Sequence, residues 1–262
     1  MSERSRVPRA ETLQAARHAA RGGWAGKLPE RYRSESYVGF RDRIEASLRA
    51  GVAILDAGSG ANPCLPPAER PRGCRYVGLD LSRSELLRAP KGSYDEIVVG
   101  DLRRRMAELE LRFDLVVSWF ALEHVKPLAA AVRNLLCYLK PGGRLVAVLA
   151  GAFSPASVLN RLIPLRLARP MLARLFDRDP GSVFPAHYDR CWHSALVDLL
   201  EEDGWDSAEV VPLYLGARYL ESWSPLLAAY LAYEEWALLT GRSNLAPYYL
   251  VDAVRSYADG GD

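Results

Sequence analysis

The chain of 262 residues is 49% hydrophobic and 25% charged, an ordinary balance for a soluble globular protein with one large α/β domain and a small cap. Lys+Arg 34 against Asp+Glu 32 leaves a net charge of +2, so nothing in the charge asks for a nucleic-acid partner. Met1 to Arg6 lack the apolar core of a signal peptide, and the most apolar stretch, Leu226 to Leu239, is interrupted by Glu234 and Glu235, so no transmembrane segment is expected.

Residues 1–33 mix Arg, Ala, Gly and Pro around one helix near Glu11 to Arg21 and read as an N-terminal arm. From Ser34 onward Tyr37, Phe40, Ile44 and Leu48 recur at helical spacing until Gly51. Val52 to Ala57 is a short apolar run that reads as a buried strand. Pro63, Pro66, Pro67 and Pro71 then crowd the place where a crossover helix is expected. Proline removes a helical hydrogen bond and clashes with the turn before it, so at most a turn or two forms there. Arg75 to Leu81 reads as the second strand, and Ser82-Arg83-Ser84-Glu85 is a capping box that opens a short helix. Asp95 to Val99 is the third strand, Leu102 to Leu111 a short helix and Phe113 to Trp119 the fourth strand. Pro127 starts a helix running to Leu139, Lys140-Pro141-Gly142-Gly143 ends it, and Arg144 to Leu149 is the fifth strand. Gly151 to Arg190, broken by five prolines, reads as an insertion. Trp192 to Asp203 is a helix, Trp205 to Leu215 a strand, Tyr219 to Thr240 an aromatic helical segment and Leu245 to Val254 a last strand. Regular alternation of strands and helices argues a doubly wound, mostly parallel sheet. The core spans 34–150, resumes as helix and strand in 191–215 and ends in 243–262, with cap segments at 151–190 and 216–242. The four cysteines, Cys64, Cys74, Cys137 and Cys191, form no C-x-x-C pair, which suits reduced thiols in the cytoplasm and no metal site.

The first strand runs into Asp56-Ala57-Gly58-Ser59-Gly60-Ala61-Asn62-Pro63. Glycines at alternate positions let the chain turn sharply and a ligand approach its backbone, at the edge where parallel sheets build cofactor crevices. A dinucleotide loop carries G-x-G-x-x-G and sets a pyrophosphate on a helix N-terminus. Here the third glycine is absent, and Asp56 stands where a pyrophosphate would meet a negative charge. A ligand bearing an ammonium and a sulfonium, with no phosphate, suits an acid at that point. A plain turn between strand and next element is the other reading of the glycine pair.

Five motifs in order then carry a resemblance: Leu55-Asp56-Ala57-Gly58-Ser59-Gly60, Val77-Gly78-Leu79-Asp80-Leu81, Gly100-Asp101-Leu102, Phe113 to Ser118 with Leu122-Glu123-His124-Val125, and Leu139-Lys140-Pro141-Gly142-Gly143. On these the chain resembles the class I S-adenosylmethionine-dependent methyltransferases of the small-molecule type, closely over residues 34–150 and by element order beyond. The resemblance implies a seven-stranded Rossmann-like sheet with helical cap insertions. It implies S-adenosylmethionine as cofactor, S-adenosylhomocysteine as product, and a small organic acceptor methylated on oxygen, nitrogen or carbon. The same fold and cofactor also suit aminocarboxypropyl transfer, cyclisation or a non-catalytic cofactor-binding protein.

The resemblance implies cofactor contacts at Asp56, Gly58, Ser59 and Gly60, with the Asn62-Pro63 departure bearing on how the loop meets the methionine end. Asp80 ends the second strand, where a carboxylate can accept from both ribose hydroxyls, or serve as a charge at a helix N-terminus. Leu81 would pack on the adenine. Asp101 and Leu102 correspond to the acid and backbone N–H that meet the adenine edge, and a helix cap is the rival role for Asp101. Ser118 and Trp119 fall where family members contact the methionine part; Trp119 and Phe120 either wall the transfer site or fill the core. His124 and His187 are candidate bases, since a neutral imidazole can take a proton from a hydroxyl or amine. Tyr188, Tyr219 and Trp223 are candidate acceptor-pocket residues. Arg161, Arg166, Arg169 and Arg174 among leucines read as the solvated side of a cap helix or as an interfacial face.

Overall fold

Seven strands pair into one sheet: β1 Ala53–Ala57, β2 Arg75–Asp80, β3 Glu96–Val99, β4 Phe113–Trp119, β5 Leu139–Ala150, β6 Trp205–Leu213 and β7 Tyr248–Arg255. The computed structural model of the chain describes residues 28–32, 36–162, 185–202, 204–217 and 224–257. The strand order is β3-β2-β1-β4-β5-β7-β6. β1 to β5 pair in parallel, and β7 lies antiparallel between β5 and β6. This is the expected mostly parallel, doubly wound sheet.

The strands were readable because both faces of the sheet are covered, which makes central strands continuous apolar runs. Four of the five residues of β1 are buried. On one face lie α1 Ser36–Glu45 and its Phe40 and Ile44, packed with Ile54, Leu115, Val146 and Leu250. On the other lie α3 Leu128–Tyr138 and α5 His193–Glu202, whose leucines pack with Leu55, Val116, Leu145 and Val251. α2 Arg83–Arg88, α4 Pro155–Leu162 and α6 Ser224–Leu239 complete the described helices. Among the described residues no helix is long and apolar enough to cross a membrane.

After β1 the chain goes to β2 on one side, while β4 lies on the other, so the order reverses beside β1. That switch point opens a crevice at the carboxyl ends of the strands. The glycine loop stands at it.

Two local expectations meet the structure differently. The proline-rich stretch forms a single 3-10 turn, Pro67–Glu69, as expected. The helix expected over Leu102 to Leu111 does not form; the structure has only a 3-10 turn, Ala107–Leu109. Side chains of α3 take the backbone groups that such a helix would use. Met106 N–H donates to the Tyr138 hydroxyl (3.0 Å), that hydroxyl donates to Arg104 O (3.2 Å), and Asn134 Nδ2 donates to Leu102 O (2.8 Å). The capping box before α2 is half made: Ser82 Oγ accepts from Glu85 N, but Ser82 N donates to Asp80 Oδ1 (2.8 Å). The helix expected at Glu11 to Arg21, residues 163–184 of the first cap segment and residues 218–223 of the second lie outside the described residues.

Asp252 on β7 gathers the far end of the sheet. It accepts Arg144 Nε and Nη2 at 2.6 Å each and Arg43 Nε at 2.8 Å, joining β5, β7 and α1. Its side chain is 12% exposed, so these charged hydrogen bonds are only partly screened. Asp252→Asn is expected to cost about 1–3 kcal/mol, because two guanidinium groups lose a shared carboxylate. Urea unfolding monitored by tryptophan fluorescence checks this.

Candidate functional site

Gly58 has φ +74, and a Cβ there would lie 2.3 Å from the Ala121 Cβ, so both conformation and space require glycine. Its N–H donates to Leu79 O (2.7 Å), and Ser59 N–H reaches the same carbonyl (3.3 Å), locking the loop onto β2. Ser59 is buried. Gly60 also has positive φ, and its N–H donates to Asp80 Oδ2 (3.0 Å).

Asp56 is not presented to the crevice. Its carboxylate is fully buried beneath the loop and accepts from Tyr76 Oη (2.5 Å), Cys64 N (2.7 Å) and Cys64 Sγ (3.2 Å). Burial pushes its carboxyl up to about 6, with the Tyr76 and Cys64 hydrogen bonds pulling the other way. The sequence reading had this acid facing a cationic ligand; the structure instead makes it the anchor of the loop. Tyr76 and Cys64, which hold it, were not foreseen.

Asp80 sits at the crevice edge of β2, half-buried, bridging Gly60 N and Ser82 N. Burial raises its pKa. Beside it Leu81 is 70% exposed, an apolar side chain left facing water. Asp101, one strand over, holds a fork from Arg103: Nε reaches both carboxylate oxygens (2.9 and 3.0 Å) and Nη2 reaches Oδ2 (2.6 Å). This pairing lowers the Asp101 pKa. No α-helix follows, so a helix-capping role for Asp101 falls away. Leu102 is buried in the core.

On the other side of the switch point Ser118 is buried and its hydroxyl donates to Ala57 O (2.9 Å), tying the ends of β4 and β1. Trp119 and Phe120 continue an aromatic row from Phe40 to Tyr248. The ring centroids are 4.9 Å apart for Phe40 and Trp119, 5.0 Å for Trp119 and Phe120, and 5.1 Å for Phe120 and Tyr248. Phe120 has φ +50, a costly conformation for an aromatic residue, fixed by its N–H on Val148 O (2.8 Å). Tyr248 pairs with Ala150 at the carboxyl end of β5, so it enters the row from the last strand. It was missed because it lies 128 residues beyond Phe120.

His124 and His187 are brought together. His124 closes the 3-10 turn Leu122–His124 after β4, and its Nδ1 lies 3.0 Å from Pro185 O. The backbone N–H groups of His187 and Tyr188 both donate to Glu123 O (2.9 and 3.0 Å). Burial lowers the His124 pKa. A carbonyl partner at Nδ1 takes the ring proton there and leaves Nε2 as the basic nitrogen. His187 is exposed. Tyr188 is buried, with φ +52, and its hydroxyl accepts from Asn160 Nδ2 (3.0 Å). Asp189 Oδ2 accepts from Leu128 N (2.8 Å), capping α3 from across the chain. Tyr219 and Trp223 lie outside the described residues.

The motif Leu122-Glu123-His124 also carries a residue not singled out before. Glu123 is 4% exposed, and its Oε2 is buried without a hydrogen-bond partner. Burial pushes its carboxyl up to about 7. The signal was a charged residue between the end of the buried strand β4 and Val125, next to Leu122.

Residues 30–208 match a family model described as a methyltransferase domain. The chain belongs to that family. Curated relatives include a ubiquinone biosynthesis O-methyltransferase from Methylobacterium sp. (strain 4-46), 32% identical over 107 residues, 39% of this chain and 43% of that protein. Another of the same description, from Rhodopseudomonas palustris (strain BisA53), is 30% identical over 110 residues, 40% of this chain. The match thus spans 43% of the length of either relative. Among solved structures, Haemonchus contortus phosphoethanolamine N-methyltransferase 2 aligns with a TM-score of 0.51 at 14% identity, over 83% of this chain and 52% of that one. A putative S-adenosylmethionine-dependent methyltransferase from Listeria monocytogenes aligns with a TM-score of 0.51 at 14% identity, over 84% and 98%. These two likenesses concern the fold. At the crevice edge a half-buried carboxylate, Asp80, stands beside the exposed apolar Leu81, a pair whose chemistry could suit a ribose joined to a purine.

Burial of the Glu123 carboxyl predicts a stability that depends on pH. A carboxyl near 7 when folded and 4.5 in its ordinary state keeps its proton on folding between those values. Its contribution therefore falls as pH rises from 4.5 to 7 and is level beyond. Glu123→Gln removes this dependence, so the stability difference should shift in the variant's favour by up to about 3 kcal/mol between pH 4.5 and 8. Urea midpoints at the two pH values check it.

Proposed function

We propose that the protein moves the methyl group of S-adenosylmethionine to a hydroxyl oxygen of a small, ring-bearing acceptor. The observation that carries this reading is His124, a half-buried imidazole with a carbonyl at Nδ1, which closes the 3-10 turn that follows Trp119 and Phe120 at the end of β4. The ubiquinone O-methyltransferase relatives support oxygen as the attacked atom.

The cofactor supplies a methyl group already activated on a sulfonium. The chain has three tasks. Asp80 would hold the ribose, Leu81 the adenine face, and Asp101 with Leu102 N–H the adenine edge, once Arg103 yields the Asp101 carboxylate. That ion pair is exposed, with Arg103 49% accessible, and such pairs are weak enough to be displaced. The Gly58–Gly60 loop and the backbone at Ser118 and Trp119 would meet the methionine end. Trp119, Phe120 and Tyr248 would orient the acceptor ring and exclude water, and alignment of this kind accounts for much of the rate in direct displacements. His124 Nε2 takes the acceptor's hydroxyl proton. The chain leaves the sheet after β5 and β6 at carboxyl ends that lie on the crevice side.

Calorimetry is expected to register S-adenosylhomocysteine and no NAD; the reverse result overturns the reading. Asp80→Ala should weaken S-adenosylhomocysteine by roughly 10–100-fold, from hydrogen bonds to a charged group worth about 1.5–3 kcal/mol each. Wild-type affinity in a folded Asp80→Ala protein would remove Asp80 from the ribose.

His124→Ala should keep cofactor affinity and lose roughly 10²–10⁴ in turnover of a phenolic acceptor. Because burial holds its pKa below 6.5, the wild-type rate should fall only as pH drops below that value, and the variant should lack this limb. Identical pH–rate profiles for wild type and variant would show that the acceptor ionises unaided. Product analysis accompanies the assay: methylthioadenosine in place of S-adenosylhomocysteine would mean another group is transferred.

A further inference from the structure

The glycine loop of this chain has no helix behind it. Between Gly58 and Arg75 the only helical element is the 3-10 turn Pro67–Glu69, so four prolines have replaced the rigid body that follows such loops. Something else has to hold the loop in shape.

A stack of side chains fills that place. The Arg70 guanidinium carbon lies 3.7 Å over the Tyr76 ring, and Tyr94 stacks on Tyr76 with centroids 6.1 Å and planes 16° apart. Arg70 Nε and Nη2 donate to Leu65 O (3.0 and 2.8 Å), and Nη2 also donates to Ser93 O (2.5 Å). Leu65 N donates to the Tyr76 hydroxyl (3.1 Å), so the Leu65 residue is gripped at its N–H and its C=O. At the far end of the stack the Tyr94 hydroxyl donates to Gly60 O (2.9 Å), while Gly60 N–H is held by Asp80. Tyr94 can lie there because β2 is bare at Gly78, where a Cβ would meet the ring at 2.6 Å.

We propose that Arg70 and Tyr94 are positioning residues for the cofactor: the stack of Arg70, Tyr76 and Tyr94 replaces the missing helix and sets the Gly60 peptide for the methionine half. The inference rests on the cofactor reading above. Neither residue touches the ligand. Arg70 fixes the loop through Leu65 and the flat face of Tyr76, and Tyr94 fixes it through the Gly60 carbonyl. A guanidinium is suited to this because its plane stacks while its fork donates.

The test compares S-adenosylhomocysteine with 5′-methylthioadenosine, which lacks the amino-acid end. Arg70→Ala should weaken S-adenosylhomocysteine about tenfold and Tyr94→Phe by about three- to tenfold, each the loss of one or two loop hydrogen bonds. Methylthioadenosine should bind both variants as it binds wild type. Tyr94→Phe removes a single oxygen and keeps the ring, so it tests the idea even if Arg70→Ala does not fold. In the ligand-free variants the amides of residues 59–65 should exchange faster than in wild type. A stability role alone would lower the melting temperature and leave the affinity ratio of the two nucleosides unchanged. That result overturns the proposal, as does wild-type affinity for S-adenosylhomocysteine in both variants. Wild-type protein that binds neither nucleoside removes the cofactor reading and this proposal together.

Discussion

The crevice depends on a carboxylate that never reaches it. Asp56 lies fully buried under the glycine loop and gathers the Tyr76 hydroxyl and both the amide and the thiol of Cys64. Burying a carboxylate is costly unless its lone pairs are used, and here three donors use them. The geometry passes outward from that point. The loop is pinned beneath, its glycines turn with positive φ, and Asp80 receives the Gly60 N–H at the rim. Without the anchor, the Cys64 amide at the start of the proline-rich stretch would lose its carboxylate partner.

The two halves of the crevice are built by different means. On the β1–β2–β3 side the chain uses charge and hydrogen bonds: Asp80, Asp101 and their backbone partners. On the β4–β5–β7 side it uses rings, from Phe40 to Tyr248. The division suits a polar nucleoside and an apolar acceptor meeting over β1 and β4. His124 follows β4 and is joined through Pro185 and Glu123 to the 185–191 segment.

The fold was legible because buried parallel strands are apolar along their length, and the Val77 to Leu81 and Phe113 to Ser118 runs say so without help. The sharp turn of the glycine loop and the place of Asp80 at the end of β2 were legible because both are set by local backbone geometry. Asp56 was legible as an important acid but not in its direction. An acid before a glycine pair reads the same whether it turns in or out, and the deciding partner, Tyr76, is twenty residues away. The absent helix after Asp101 has a similar cause. Propensity favoured it, yet Tyr138 and Asn134, more than thirty residues on, claim its backbone groups. Tyr248 joins the aromatic row through its position in space, which the order of the sequence hides.

The sheet has a consequence for the order of assembly. β6 sits at one edge and pairs with β7, which is later in the chain and fills the gap beside β5. During synthesis β1 to β5 can join as they emerge, each finding a neighbour already made. β6 cannot; it must wait, edge unpaired, until residues 248–255 leave the ribosome and slot in antiparallel. Tyr248 arrives with them. The β1–β2–β3 half of the crevice can therefore take shape while the chain is still growing, but the aromatic row is complete only when the last strand has been threaded.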